Sequence, residues 1–281
     1  MLAHFILTIL LLLLPPKQLP SCNSPLLEET PFVDTSFVSQ IFCCDESIEM
    51  YCKKSDKGNG NLILFLHGSS GNGLKNISQS WFDYWLHKGF AVAAISLPGH
   101  GASSGSKDFC GPQTIKSLHH VIDIIKKELL IDSYACMGFG QGAIAGLLLN
   151  GQRNDMNCFV SANGAYDLLR HTSPNDPVRK TLIEKNYDIN PDDLNSLKAR
   201  SPIEYVKTMH APVYLLHRDG NPVIQVEEVQ SFYQAMLENE KNCTLSILES
   251  TPENDSQILS YEEILRETER WIEHNTQPFK N

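Results

Sequence analysis

Short apolar runs alternate along the chain with longer stretches in which apolar residues recur every three or four positions. The runs at 61–66, 91–97, 134–137, 158–161, 212–216 and 244–248 are almost free of polar residues. Runs of this length without polar alternation read as strands buried on both faces, the pattern of a parallel sheet. Between them, 78–88, 113–130, 141–150, 226–237 and 260–274 predict helices. In 113–130 the stripe is Ile115, Leu118, Val121, Ile122, Ile125 and Leu129, one face of a helix. Strand and helix repeated in this way predict a doubly wound, mostly parallel sheet, with right-handed crossovers and helices on both faces. Residues 41–52 are mixed and predict an edge hairpin. Residues 167–208, rich in Pro, Asn and Asp, predict a small cap inserted between strands. No repeat or low-complexity linker divides the chain. The expected organisation is an extension with edge strands over 22–60 and one domain over 61–281.

Residues 5–14 form a leucine-rich run followed by Pro15 and Pro16. The run fits the apolar core of a signal peptide and is too short to span a bilayer. Residues 1–21 are therefore expected to direct export, with the protein secreted, periplasmic or membrane-anchored and without a transmembrane span. No Lys or Arg precedes the run and no A-x-A site follows it. The sequence Leu19-Pro20-Ser21-Cys22 loosely matches a lipidation signal at Cys22. Were the run not a signal, the chain would stay in the cytoplasm.

Composition narrows the function classes. The chain has 281 residues, 42% apolar and 20% charged, with a formal net charge of −10. This is ordinary globular composition. An acidic chain without a basic cluster has nothing to neutralise phosphates, which argues against a nucleic-acid partner. Eight Cys are too few in this length for a disulfide scaffold. Cys136 and Cys158 sit in apolar runs and read as buried thiols, whereas Cys43, Cys44, Cys52 and Cys110 are candidates for pairing. Asn76, Asn242 and Asn254 each begin an N-x-S/T tripeptide. No H-x-x-x-H or C-x-x-C pair exists to build a zinc site, and no cofactor is expected.

The chemistry should lie at Gly138-Phe139-Gly140-Gln141-Gly142-Ala143, between a strand and a helix. This stretch resembles the nucleophile elbow G-x-S-x-G of the α/β-hydrolase superfamily. Gly138 and Gly142 match the flanking glycines, but Gly140 stands at the nucleophile position. The resemblance extends further. His67-Gly68 after the strand at 61–66 is similar to the oxyanion-loop motif. Leu97-Pro98-Gly99-His100-Gly101-x-Ser103 resembles a P-G-H-G-x-S turn. Ala199-Arg200-Ser201-Pro202-Ile203 and Ala211-Pro212-Val213-Tyr214-Leu215-Leu216-His217 resemble the prolyl oligopeptidase-like and dienelactone hydrolase-like branches. In those branches the triad Asp falls four residues after the His, which here is Asn221. The triad His follows the last strand, and its best match here is Ser256. No His lies between His217 and His274.

The resemblance thus implies an α/β-hydrolase fold whose nucleophile, acid and base positions hold Gly140, Asn221 and Ser256. Ser attacks, His takes its proton and Asp fixes the His tautomer. Without a triad member, about 10³–10⁴-fold catalysis over water remains. The family geometry further implies an oxyanion-type site from the backbone of Ser69 and Gln141, beside His67 and Gly68. Such a cleft suits a small acyl, carboxylate or peptide ligand, or a protein partner, without chemistry. The competing expectation is an esterase or peptidase working through a rearranged site. His67 or His100 would be its base and Asp167, or Asp219 with a shifted loop, its acid; the competing readings are that the family's counterpart of His67 is mostly structural, that His100 is a turn residue and that Asp167 is a loop carboxylate. Cys136 reads as core, and the adjacent His119 and His120 point to different helix faces.

Overall fold

Leu62–Leu66 contains no polar residue, and in the computed structural model of the chain it is a strand, β3, buried on both faces. The structure describes residues 37–43, 46–69, 77, 79–250 and 259–276. Among the described residues eight strands form one sheet in the order β1-β2-β4-β3-β5-β6-β7-β8. The others are β1 (Phe37–Cys43), β2 (Glu46–Lys53), β4 (Ala91–Ile95), β5 (Tyr134–Phe139), β6 (Met156–Ala162), β7 (Val213–Arg218) and β8 (Cys243–Leu248). β1, β2 and β4 are successively antiparallel, and β4, β3, β5, β6, β7 and β8 run parallel. The hairpin expected over 41–52 is β1 and β2. It begins earlier, at Phe37, which pairs with Cys52.

Successive side chains of a strand point to opposite faces, and the core divides accordingly. One face holds Leu62, Leu64 and Leu66 with α2 (Pro112–Leu129), α3 (Gln141–Asn150) and α6 (Val226–Glu238). The other holds Ile63 and Phe65 with α1 (Gln79–His87) and α7 (Tyr261–Asn275). Caps fix the helix starts. Asp108 accepts the N–H groups of Gln113 and Thr114 at the head of α2. Ser260 and Glu263 form a capping box at the head of α7.

The insertion between β6 and β7 is structured rather than an open loop. It holds a 3₁₀ turn (Leu168–His171), α4 (Pro177–Glu184), α5 (Leu194–Lys198) and a second 3₁₀ segment (Pro202–Thr208). Asp176 and Asp193 cap α4 and α5 with their side chains, which is why an Asp-rich stretch forms helices.

Among the described residues no helix is long and apolar enough to cross a membrane. The proposed export segment over 1–21, Cys22, Cys44, the tripeptides at Asn76 and Asn254, and Ser256 lie outside the described residues. Cys52 and Cys110 are free and buried, so the pairing expected of them is not made; the Cys110 thiol instead donates to Gln141 O at 3.3 Å.

Candidate functional site

The chain leaves β3 for β4 on one side and returns to β5 on the other. A crevice forms outside the carboxyl ends of parallel strands at such a reversal. Here those ends carry His67-Gly68-Ser69 after β3 and Gly138 to Gln141 at the junction of β5 and α3.

Gly140 has φ +51° and ψ −108°, a region that side-chain-bearing residues enter only under strain. Its N–H donates to Ala162 O of β6 at 2.9 Å. The flanking glycines are required by contact. A Cβ on Gly138 would lie 2.3 Å from Gly142 O, and one on Gly142 would lie 2.2 Å from Leu66 O. Among the described residues a Cβ on Gly140 would meet only Gly68 Cα, at 3.7 Å. The backbone therefore makes the elbow, and the described residues leave room there for a side chain that the sequence does not supply. Gly68 and Gly140 are both half-buried, and the structure brings them together. Behind the elbow, Trp81 of α1 stands edge-on to Phe139, with ring centroids 5.4 Å apart.

His67 serves the backbone. Its Nε2 accepts the Leu97 N–H at 2.9 Å, so its Nδ1–H donates to Gly68 O at 2.9 Å. Burial holds the ring down to about 4. His67 is thus a neutral brace between β3 and β4, with no lone pair left to take a proton. His100 is also buried. Its Nδ1 bonds Pro98 O at 3.0 Å, and burial, with Lys107 and Lys185 adding to it, holds it below its ordinary value.

Gln141 lies at the start of α3, whose N-cap, Gly140, offers no side-chain cap. The first N–H groups of a helix have no partner within it and favour an anion or carbonyl oxygen. The Gln141 side chain is turned to the cap, where its Oε1 accepts from Tyr187 Oη at 2.6 Å. Ser69 also meets the cap, its carbonyl accepting from Lys185 Nζ at 2.8 Å. Lys185 and Tyr187 follow α4 directly. Sequence reasoning missed both, since nothing in the hydropathy of the insertion marks where its far end folds back.

In the loop after β7 the side chain at 221 closes a turn. Asn221 Oδ1 accepts the N–H groups of Val223 and Ile224 at 2.9 and 3.1 Å, closing its own turn. Asp219 staples β7 to β8: its Oδ1 accepts Ser250 N at 2.5 Å and its carbonyl accepts Ser250 Oγ at 2.6 Å. Asp167 caps the 3₁₀ turn, accepting Leu169 N at 3.1 Å. Cys136 is buried in the core. His119 is held between Gln152 and Arg153. A cavity of about 470 Å³ between α2 and the second 3₁₀ segment is lined by Ile115, Leu148 and Tyr205, and none of the expected site residues faces it.

A family model for the alpha/beta hydrolase fold matches residues 61–195. A dipeptidyl-peptidase 4 of Giardia intestinalis is 25% identical over 199 residues, 62% of this chain and 25% of that protein. The chain thus spans a quarter of that relative's length. An esterase of Pyrococcus furiosus superposes with a TM-score of 0.63 at 18% identity, covering 85% of this chain and 90% of the esterase. An acylaminoacyl peptidase solved with Z-Gly-Gly-Phe-chloromethyl ketone gives 0.70 at 17% identity, covering 86% and 41%. With the sheet order and the elbow, these matches make the chain an α/β-hydrolase-fold protein.

Proposed function

We propose that the chain is a non-catalytic α/β-hydrolase homologue that binds a ligand or protein partner at the crevice between Gly68 and Gly140. One observation carries this reading: the elbow backbone is intact at φ +51°, ψ −108°, and the residue there is glycine. Hydrolysis by this fold needs an Oγ or Sγ at that point and a base to take its proton. His67 has both ring nitrogens engaged and does not serve as that base. The names of the similar proteins, an esterase and two peptidases, support a small acyl, carboxylate or peptide ligand.

Purified chain treated with a fluorophosphonate probe is expected to remain unlabelled and to leave short acyl esters at the buffer rate. Labelling at any residue, or clear ester turnover, overturns the reading in favour of a rearranged serine-hydrolase site. Fractionation of cells expressing the full chain tests the accompanying proposal that residues 1–21 direct export.

A further inference from the structure

The cap is fastened to the body of the molecule at a second place. His171, at the end of the first 3₁₀ turn, is 7% exposed and stands between two carboxylates. Its Nε2 is 2.9 Å from Glu228 Oε2, and its Nδ1 is 3.0 and 3.1 Å from the Asp176 oxygens. Glu228 lies in the first turn of α6. Its other oxygen accepts the N–H groups of Tyr166 and Asp167, at 2.6 and 3.1 Å, where the chain leaves β6 for the cap. Asp176 also caps α4, accepting from Val178 and Arg179. A neutral imidazole has one N–H and turns a lone pair toward the second carboxylate, whereas the imidazolium donates to both. The arrangement therefore suits the protonated ring. α4 connects it to the crevice, since Asp176 starts the helix and Lys185 and Tyr187, just past its end, hold Ser69 and Gln141.

We propose that His171, clamped between Asp176 and Glu228, is a proton-operated latch that holds the cap over the Gly140 crevice and loosens it as pH rises. Its gating of ligand access rests on the crevice being a binding site, while the latch itself rests on the distances above. Other charges face it. Arg170, on the same turn, is 3.5 Å from Asp167 and donates to Ser231 Oγ. Glu227 precedes Glu228 on α6. His217 of β7, which donates from Nε2 to Ile224 O, is held down by burial against the nearby Glu228 and Asp219. A cavity of about 250 Å³, lined by Arg170, His171, Asp176, Glu227 and Glu228 among others, gives solvent a path to the ring. Burial opposes the charge on His171, but Glu228 and Asp176 outweigh it and hold the ring above its ordinary value. Burial pushes Glu228 up, yet His171 and the two N–H groups bring it below its own. A raised folded value means the His171 contribution is complete below about pH 6.5 and is lost as pH rises through that value. The Glu228 contribution fades only as pH falls below about 4.5.

Hydrogen exchange on the full chain, with protection corrected for the intrinsic rate, tests this. Protection of amides 177–188 is expected to fall about tenfold from about pH 6 to about pH 9, while β3 and β5 hold. In His171→Gln the same amides are expected to be weakly protected at both pH values. Unchanged cap protection in the wild type, or the same fall in His171→Gln, overturns the latch. Should His171→Gln fail to fold, Asp176→Asn keeps the capping oxygen and is read by the same criterion. Fluorophosphonate labelling bears only on the non-catalytic reading and cap exchange only on the latch, so the two fail separately.

Discussion

At the carboxyl ends of β3 and β5, Gly138 and Gly142 are hemmed in by backbone oxygens that an added Cβ would meet at 2.3 and 2.2 Å. At the carboxyl end of β7, Asn221 is tied to two N–H groups of its own turn. The first region keeps the geometry of a nucleophile elbow because strand, helix and loop pack there, whatever residue occupies position 140. The second is held by the hydrogen bonds of its own side chain, because packing does not fix a loop residue. Packing fixes a backbone whatever side chain stands on it; a loop depends on the bonds its own side chains make.

This contrast has measurable consequences. Gly142→Ala breaks the elbow at its tightest contact and is expected to cost about 3–5 kcal/mol or to prevent folding, as read by denaturant unfolding or soluble yield. Tolerance of the alanine would mean the elbow is looser than its distances. Acid comes next. His67 is held to about 4, so as pH falls below about 6.5 the unfolded chain takes up a proton that the folded chain refuses. Stability should drop by up to about 3 kcal/mol between about pH 6.5 and about pH 4. The difference between wild type and His67→Gln across that range isolates the ring. Gly140→Ser has room but must adopt φ +51°, and is expected to cost about 1–3 kcal/mol without conferring ester turnover. Hydrolysis by that variant would show that a base is present after all. At β7 the effects are smallest: Asn221→Ala is expected to cost about 1 kcal/mol, and Asn221→Asp, which keeps the acceptor, less than about 0.5 kcal/mol. An Asn221→Ala loss as large as that of Gly142→Ala would erase the contrast.

The sheet was legible because each central strand is apolar on both faces: 62–66 and 91–95 are buried at every position, and such runs have few alternatives. The elbow was legible because its glycines answer to close contact. Strand ends were less so. β5 continues through Gly138 and Phe139, where glycine suggested that the strand had stopped, and β6 starts at Met156, where the pairing register shifts. The cap helices were hidden by their own caps, since Asp176-Pro177 and Asp193 resemble turn residues until their side chains are seen accepting N–H groups. The latch was illegible in principle, since His171 and Glu228 are 57 positions apart and no local pattern links them. The bonds of His67 were not legible, because a motif gives a neighbourhood and not the direction in which a ring points.

Of the three tryptophans, Trp85 is fully buried and Trp271 stands against Tyr214, 5.4 Å away. Trp81 alone among them touches Phe139, the residue before Gly140. The indole stands edge-on to Phe65 of β3 as well, 5.5 Å away, and so meets both strands that end at the crevice. Its emission is expected to report on that junction, so titrations at the crevice can be attempted on the unlabelled chain, with Trp81→Phe as the control that removes its share of the signal.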